Sequence, residues 1–318
     1  MEINVTLPED GQEEKQAEEK DQELTEKLTG SPFKKATKLN KRLKLFLWGD
    51  TGAGKTTLAL QFPRPVVIDG ERGTDLYAES WNFDVIRTTQ YDEAYNAIEY
   101  LARSKHNYAT LIIDPITIFW ESLQNKWSDI FRSRNKQSKG YKFEYYDFQP
   151  RDWMTIKSDL KSMIRKLISL DMNIIVTARE KTKYKEGSMM VSLGETFDGE
   201  KNLPYMFDTI VRLYFDGEKH MAFAIKDRSN KLPKTPFIPS YSLFEKCFGS
   251  TELSKEPEPV KYATTKQKKQ IRDYIKLLAL AENKVKRALS QYEVETIEDL
   301  TKENATIIIA KLEKLAGK

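Results

Sequence analysis

The sequence predicts an α/β fold with a mostly parallel central sheet, an antiparallel hairpin at one edge of that sheet and a small helical domain at the C-terminus. An alternating apolar run at 43–48 ends in a glycine turn, and an apolar helical pattern follows it directly. Two more apolar runs, at 65–68 and 108–113, end in acidic residues. Buried strands that alternate with helical patterns are typical of parallel sheets.

The glycine turn after the first strand has the spacing G-x-x-x-x-G-K-T of a phosphate-binding loop. Glycines let the backbone approach an anion closely, and the N–H groups of the loop and of the following helix carry partial positive charge. In such a loop Lys55 binds the β- and γ-phosphates, and the Thr56 hydroxyl is placed for Mg²⁺. The predicted nucleotide-binding residues are Gly49, Asp50, Thr51, Gly52, Ala53, Gly54, Lys55, Thr56 and Thr57.

Carboxylates follow two of the strands, at the sheet edge where the ligands of open parallel sheets bind. Glu71 stands just after the strand at 65–68 and is the candidate general base or water-positioning group beside a γ-phosphate. The alternative for Glu71 is an exposed loop acid that caps the next helix. Asp114 ends the strand at 108–113, and at that distance after a phosphate loop it is expected to hold the Mg²⁺ shell.

Aromatic and basic residues alternate through the stretch 120–153. Base stacking on aromatic rings, with cations along the backbone, is how single strands are held without sequence preference. The alternative is a lid whose aromatics pack on the domain and whose cations are solvated. Within the stretch, 133–140 has the composition of a loop, and the amphipathic pattern at 152–170 predicts a helix.

The chain after this helix returns to strands. Residues 173–178 predict another buried strand, and Arg179-Glu180 at its end occupies a position that can sense a γ-phosphate. The segment 181–199 is polar and is expected to be mobile. A hairpin is predicted over 208–225, because a short Asp-Gly connection separates two strand-like runs and therefore makes them antiparallel.

The two ends of the chain differ from its centre. Residues 1–32 form an acidic tail with almost no apolar content, which predicts disorder. Residues 251–262 have the composition of a linker, and 263–318 predict a small helical domain. The lysines of that domain suit nucleic acid or an acidic partner tail, and a plain protein-interaction module fits equally well. Its predicted helices are 266–280, 282–292 and 301–315, with Thr264 or Thr265 and Thr301 as N-caps.

The composition excludes several classes of protein. The chain has 318 residues and one cysteine, Cys247, so it has neither a disulfide framework nor a Cys-rich metal site. His106 and His220 have no ligand-like spacing and are expected to be ordinary surface or packing residues. No apolar run approaches the length that crosses a bilayer, so we expect no membrane contact and a cytoplasmic location, the host cytoplasm if the chain is phage-encoded.

The order of these signatures resembles the RecA-type recombinase ATPases, particularly the phage-encoded RecA-like P-loop ATPases that accompany single-strand annealing systems. The resemblance covers residues 33–248 and implies a RecA-like ATPase domain over 33–250 that uses ATP and Mg²⁺. Val66-Val-Ile-Asp-Gly-Glu71 is similar to the family's second strand, whose trailing glutamate is the catalytic base. The family's polar sensor is commonly Gln or His, and here Arg179-Glu180 stands in its place.

The segment Ile225-Lys-Asp-Arg228 resembles the Lys-Asn-Arg segment of the bacterial RadA branch. Basic residues of that segment reach the nucleotide of the neighbouring subunit. The resemblance therefore implies a homo-oligomer in which Lys226 and Arg228 are catalytic residues. By position, the segments that follow the strands at 108–113 and 173–178 correspond to the family's DNA-contacting loops.

The function that the residues and the resemblance predict together is a Mg²⁺-dependent ATPase of DNA recombination, replication or repair. It would bind single-stranded DNA as an oligomer and couple ATP hydrolysis to annealing or strand handling. One alternative is a helicase or helicase-loader motor, which would use the same nucleotide residues. Another is a nucleotide-gated mediator that loads a single-strand-binding or annealing protein through the C-terminal helices. No Asn-Lys-x-Asp motif selects guanine, so the sequence leaves the base open.

Overall fold

An eight-stranded, mostly parallel sheet forms the centre of the computed structural model, which describes residues 42–136, 148–185, 188–258, 260–292, 294 and 296–316. The strands are β1 (Lys44–Gly49), β2 (Pro65–Asp69), β3 (Asp84–Arg87), β4 (Thr110–Asp114), β5 (Asn173–Lys185), β6 (Ser188–Phe197), β7 (Thr209–Phe215) and β8 (His220–Asp227). The helices are α1 (Lys55–Leu60), α2 (Tyr91–Arg103), α3 (Ile116–Asn135), α4 (Pro150–Ser169), α5 (Tyr241–Phe248), α6 (Ser250–Ser254), α7 (Thr265–Leu277), α8 (Glu282–Ser290) and α9 (Lys302–Leu315). Short 3₁₀ turns lie at Leu203–Met206 and Ile297–Asp299.

The strand order across the sheet is β3-β2-β4-β5-β1-β7-β8, and β6 pairs with the far end of β5. All neighbours from β3 to β7 are parallel, whereas β7 and β8 form an antiparallel pair at the edge. The predicted α/β fold with its edge hairpin is therefore confirmed. In this order β1 lies between β5 and β7, neither of which is next to it in the sequence. The phosphate loop therefore emerges between two strands that come from later in the chain.

Two apolar layers cover the faces of the sheet. On one face, α2, α3 and α4 bury residues such as Ile98, Phe119 and Ile164 against β1, β2, β4 and β5. On the other face, α1, α5 and α6 bury Leu58, Phe244 and Leu253 against β1, β2, β7 and β8. In the described part of the chain, no helix is long and apolar enough to cross a membrane.

The segment predicted to be mobile, 181–199, is instead largely a β-ribbon. Strand β5 leaves the sheet after Arg179 and continues to Lys185, and β6 pairs with it antiparallel from Phe197 opposite Glu180. The sequence predicts mobility because the segment is polar and contains glycine. Pairing between strands satisfies the backbone hydrogen bonds without a buried apolar face, and Gly194, with φ of 97°, lies where the register shifts.

The aromatic-basic stretch at 120–153 packs largely on the domain. Helix α3 continues to Asn135, so the loop predicted from 133 begins later; Arg132 and Arg134 in its last turn favour a helix C-terminus. Trp127 stacks on Phe131 at 5.2 Å between ring centroids, and further ring contacts join Trp120 to Trp153 and Phe148 to both Phe131 and Trp153. These contacts support the packed alternative for the described aromatics. The rest of the predicted loop, 137–140, lies outside the described residues, and so does 141–147 of the same aromatic-basic stretch.

The C-terminal helices α7, α8 and α9 share a small apolar core that includes Ile271, Leu289 and Ile308. Thr264 caps α7 in a capping box and Thr301 caps α9, as the sequence indicates. Asp299 joins this unit to the sheet domain through ion pairs with Arg103 at 3.1 Å and Lys166 at 3.4 Å. The division into an ATPase domain, a linker and a helical domain stays a prediction. Helix α6 lies within the predicted linker.

Candidate functional site at the carboxyl edge of the sheet

The carboxyl ends of β1, β2, β4 and β5 meet at one edge of the sheet because these four strands are parallel. The phosphate loop follows β1, Glu71 follows β2, Asp114 ends β4, and Arg179 lies where β5 leaves the buried sheet. Residues that are far apart in sequence are therefore neighbours here, which is the usual place for ligands of such sheets.

Two glycines give the phosphate loop its path. A Cβ on Gly49 would lie 2.0 Å from the carbonyl oxygen of Leu213, so only glycine lets β1 run this close to β7. Gly54 has φ of 91°, a left-handed conformation that glycine adopts without strain. The loop then turns directly into α1.

Lys55 lies folded over the loop. Its Nζ donates to the carbonyl oxygens of Gly49 and Asp50, at 2.8 Å each. Burial lowers the pKa of the Lys55 ammonium, and the nearby Asp114 and Glu71 charges oppose that shift. The ammonium is thus held by carbonyl oxygens in the loop where the phosphates of a nucleotide are expected.

Thr56 and Asp114 meet as the sequence predicts. The Thr56 hydroxyl donates to Asp114 Oδ2 at 2.6 Å, and the Thr177 hydroxyl of β5 donates to Asp114 Oδ1. Burial raises the pKa of the Asp114 carboxyl, and the two threonine hydrogen bonds partly offset that rise. Hydroxyl and carboxylate oxygens, with phosphate oxygens to complete the shell, are ligands that Mg²⁺ prefers, so Thr56 and Asp114 fit this ion.

The loop that carries Glu71 is held by a different acid, Asp69. The buried Asp69 carboxylate accepts hydrogen bonds from the N–H groups of Glu71 at 3.0 Å, Gly73 at 3.2 Å and Thr74 at 3.0 Å. The next helix, α2, has Gln90 and not Glu71 at its N-cap, and Asp69 holds the turn that follows β2. Glu71 keeps its side chain at the sheet edge.

Arg179 contacts the Glu71 carboxylate directly. Its Nε donates to Glu71 Oε1 at 2.5 Å, and its Nη1 lies 3.9 Å from a carboxylate oxygen of Glu121 on α3. The next residue, Glu180, pairs with Arg212 of β7, whose guanidinium lies 5.2 Å above the Trp48 ring. The end of β5 is thus tied to the loop after β2 and, through Arg212 of β7, to Trp48 of β1.

Comparison with protein families assigns the core. The sequence model of a family described as an AAA domain matches residues 41–238. This chain belongs to that family. The AAA domain so defined includes all eight strands and leaves α5 to α9 beyond the match. No curated protein is significantly similar to the chain.

Two solved structures are similar to the AAA-domain chain. A RadB recombinase matches with a TM-score of 0.37 and 18% identity, over 61% of this chain and 84% of its own. A DnaB-like replicative helicase, described with its interactions with primase, matches with a TM-score of 0.37 and 12% identity, over 69% of this chain and 65% of its own. At these TM-scores neither likeness argues for a function.

Lys226 and Arg228 lie at the other end of the strands of the AAA-domain sheet from the phosphate loop. Strand β8 is antiparallel to β7, so its end at Asp227 pairs with Thr209, at the start of β7. Lys226 donates to the carbonyl oxygen of Phe207 at 2.5 Å, and Arg228 pairs with Asp208 at 2.9 Å. One copy of the chain does not bring these cations to its own phosphate loop.

Several residues at the AAA-domain site escaped the sequence analysis. For Asp69 the sequence predicts a position just past a strand but no role, although an acid followed by a glycine and a Thr five residues later is compatible with a loop-organising carboxylate. Thr177 lies inside an apolar strand and carries no local signal. The hydrogen bond between Tyr77 and Thr57, at 3.2 Å, joins residues that no motif connects.

Proposed function

We propose that this AAA-domain chain is a Mg²⁺-dependent ATPase that binds single-stranded DNA as an oligomer. It would couple hydrolysis to annealing or strand handling in recombination, replication or repair. The observation that carries the ATPase part is the meeting of Lys55, Thr56, Asp114 and Glu71 at one edge of the sheet, from three separate stretches of sequence.

Each of these side chains has a role in the proposed reaction. Lys55 would neutralise charge on the β- and γ-phosphates, and Thr56 and Asp114 would hold Mg²⁺, which stabilises phosphate charge when bound. Glu71 would accept a proton from the water that attacks the γ-phosphorus, while the bond from that phosphorus to the bridging oxygen breaks and ADP leaves. Glu71 would first have to leave Arg179, its present partner.

The β5–β6 ribbon supports the DNA part of the proposal. Alternation along β5 places Lys181, Lys183 and Lys185 on one side of the strand, the side on which Arg179 also lies, and all four are exposed. Lys183 and Lys185 make no ion pair with any residue in the described ranges. A row of cations on a projecting ribbon suits the backbone of a nucleic acid.

Oligomerisation is proposed from the position of Lys226 and Arg228. They cannot reach the phosphate loop of their own chain, and they lie on an edge strand that a second copy can approach. Cations supplied across such an interface raise phosphoryl-transfer rates by about 10³–10⁵ where they are established.

Turnover with and without single-stranded DNA tests the proposal. Wild-type chain should hydrolyse ATP faster with DNA, and the variant Lys183→Glu/Lys185→Glu should keep its DNA-free turnover and lose that stimulation. The matched control Lys105→Glu/Lys234→Glu reverses two exposed lysines away from the ribbon and should behave as wild type. Equal turnover at all protein concentrations, with no DNA binding at moderate salt, would overturn the DNA part.

A mixing experiment tests the oligomer. Lys55→Ala and Arg228→Ala should each be inactive alone. Mixed together they should regain partial activity, because one supplies an intact phosphate loop and the other an intact Arg228. Absence of any recovery, with both variants folded, would contradict the proposed shared site.

A further inference from the structure

Two aromatic rings lie exposed at the end of the β7–β8 hairpin, beside the phosphate loop. Phe215 ends β7 and His220 begins β8, and the two residues form a cross-strand pair with ring centroids 5.3 Å apart. Phe215 is 55% exposed, and His220 is also exposed. Nothing in the proposed hydrolysis uses either ring.

The register between β1 and β7 places Phe215 and His220 beside the phosphate loop. Leu213 is opposite Gly49, the last residue of β1, so Phe215 extends two residues further, alongside the turn that β1 makes into the loop. Because side chains alternate along a strand, Phe215 shares the face of Leu213, which is the face that α1 covers. His220 lies beside the loop itself: two of its ring atoms lie 3.7 Å from where a Cβ on Gly54 would stand.

The strand order fixes which end of a nucleotide faces this pair. Asp114 and Thr177 lie on strands on one side of β1, Glu71 follows a strand on that same side, and the hairpin lies on the other side. The γ-phosphate end belongs with Glu71 and Asp114. The rest of a nucleotide bound in the loop therefore leads away from them, toward β7 and β8.

The hairpin turn is held by its own hydrogen bonds. Asp216 accepts through Oδ1 from the N–H groups of Glu218 and Lys219, at 2.9 Å each, and its own N–H donates to the Lys219 carbonyl. Gly217, with φ of 104°, completes the turn. The two rings are thus presented on a fixed element before any ligand arrives.

We propose that Phe215 and His220 form the platform on which the base of the bound nucleotide stacks. The platform rests on the proposed nucleotide site and adds to it the subsite for the base. Two rings recognise a π-face and not a hydrogen-bonding pattern, so the platform favours the larger purines over pyrimidines. It discriminates little between adenine and guanine.

Binding measured by calorimetry tests the platform with three ligands: ATP, CTP and inorganic tripolyphosphate, each with Mg²⁺. The variant Phe215→Leu/His220→Ala should bind ATP about tenfold more weakly than wild type, since one stacked base contributes about that factor. Its affinity for tripolyphosphate should not change. Phe223→Leu is the matched control, because Phe223 is an exposed aromatic on the same hairpin whose side chain points to the other face.

The outcomes separate the two proposals. Unchanged ATP affinity in the folded double variant overturns the platform and leaves the nucleotide site standing. Failure of the wild-type chain to bind either ATP or tripolyphosphate overturns the nucleotide site itself. A second readout is the NMR shift of the adenine H2 and H8 protons, which should move upfield on the wild-type chain and on Phe223→Leu, and not on the double variant.

Discussion

Arg179 and Glu71, 108 residues apart in sequence, form an ion pair with 2.5 Å between Nε and Oε1. Arg179 is the first exposed residue of β5 after its buried part, and Glu71 is the candidate base after β2. The carboxylate that is proposed to take a proton from water is therefore already engaged by a cation. That cation lies on the strand that forms the ribbon.

Removing Arg179 should release Glu71. We expect Arg179→Ala to raise DNA-independent ATP turnover by at most about fivefold, because an exposed ion pair contributes only about 0–1 kcal/mol. Both side chains are more than a third exposed, so the melting temperature should hardly change. Steady-state turnover and thermal unfolding measure the two effects. Glu121→Gln, which alters the more distant carboxylate beside Arg179, is the control; a turnover loss in Arg179→Ala would contradict the release.

Glu71→Gln should separate binding from hydrolysis. An amide cannot accept the proton of the attacking water, so turnover should fall by about 10²–10⁴ while ATP affinity stays close to wild type. Single-turnover hydrolysis and equilibrium binding measure the two quantities. The same loss should appear in the Arg179→Ala background. Activity that survives in Glu71→Gln would remove Glu71 from the base role.

Asp114 should leave a signature in the pH dependence of stability. Burial raises the pKa of its carboxyl in the folded chain above the unfolded value of about 4, so the folded state binds this proton more tightly. Ionised Asp114 therefore destabilises the ligand-free fold at neutral pH, and that cost disappears as the pH falls through the raised pKa. Each unit of the rise corresponds to about 1.4 kcal/mol.

The variant Asp114→Asn isolates this contribution. It should be more stable than the ligand-free wild type at pH 7, and the difference should shrink toward pH 4. Urea unfolding at a series of pH values measures the free energy of unfolding of both chains. Parallel stability curves for the two chains would show that Asp114 titrates normally.

Gly49→Ala should destabilise the sheet. The added Cβ would lie 2.0 Å from a backbone oxygen of Leu213, so β1 and β7 would have to separate. Overpacking of this kind costs about 1–3 kcal/mol. Gly73→Ala is the control because nothing lies within 4 Å of its Cβ position. The free energies of unfolding of the two variants, measured with urea, should differ by at least about 1 kcal/mol. Equal stability would contradict the close approach of β1 and β7.

Leu253→Ala should destabilise the sheet domain although Leu253 lies in the predicted linker. Leu253 is 1% exposed in the layer under α1 and α5, and its carbonyl accepts from the Asn173 amide at 2.7 Å. Truncation of a buried leucine costs about 2–5 kcal/mol. Leu277→Ala, at an exposed leucine on α7, should cost almost nothing.

The same contacts decide where the helical unit can be removed. A chain that ends after Glu258 keeps Leu253 and the hydrogen bond from the Glu258 N–H to Asp171, so it should keep the stability of the sheet domain. A chain that ends after Gly249 should lose it. Thermal unfolding of both truncations provides the measurement, and similar melting temperatures would place the boundary earlier.

The parts of the site that the sequence predicts are those whose spacing is local. The sequence predicts the loop 49–57 and Asp114 directly, because a phosphate loop and an acid at a strand end are each defined by a pattern of a few consecutive residues. The contact between Thr56 and Asp114 follows from the strand order, which places the carboxyl ends of β1 and β4 at the same edge of the sheet.

The parts that the sequence misses depend on tertiary contacts. The sequence predicts that Arg179 lies at the end of a buried strand. Its partner, Glu71, depends on the path of the loop that Asp69 holds. The sequence does not predict the ribbon, because strand pairing in solvent leaves no apolar alternation to detect. For the aromatics of α3 and α4 the sequence leaves nucleic-acid binding and packing on the domain both open, and the described ones pack against each other and the core.

Strand β5 is one uninterrupted element of thirteen residues, half of it clamped inside the sheet and half of it projecting. At about 3.3 Å per residue it is roughly 40 Å long, and it passes from the sheet into the ribbon at Arg179 and Glu180. A ligand or a neighbouring copy that binds the outer half therefore binds the same strand that carries Arg179, the partner of Glu71. The ribbon and the candidate site are continuous through a single strand.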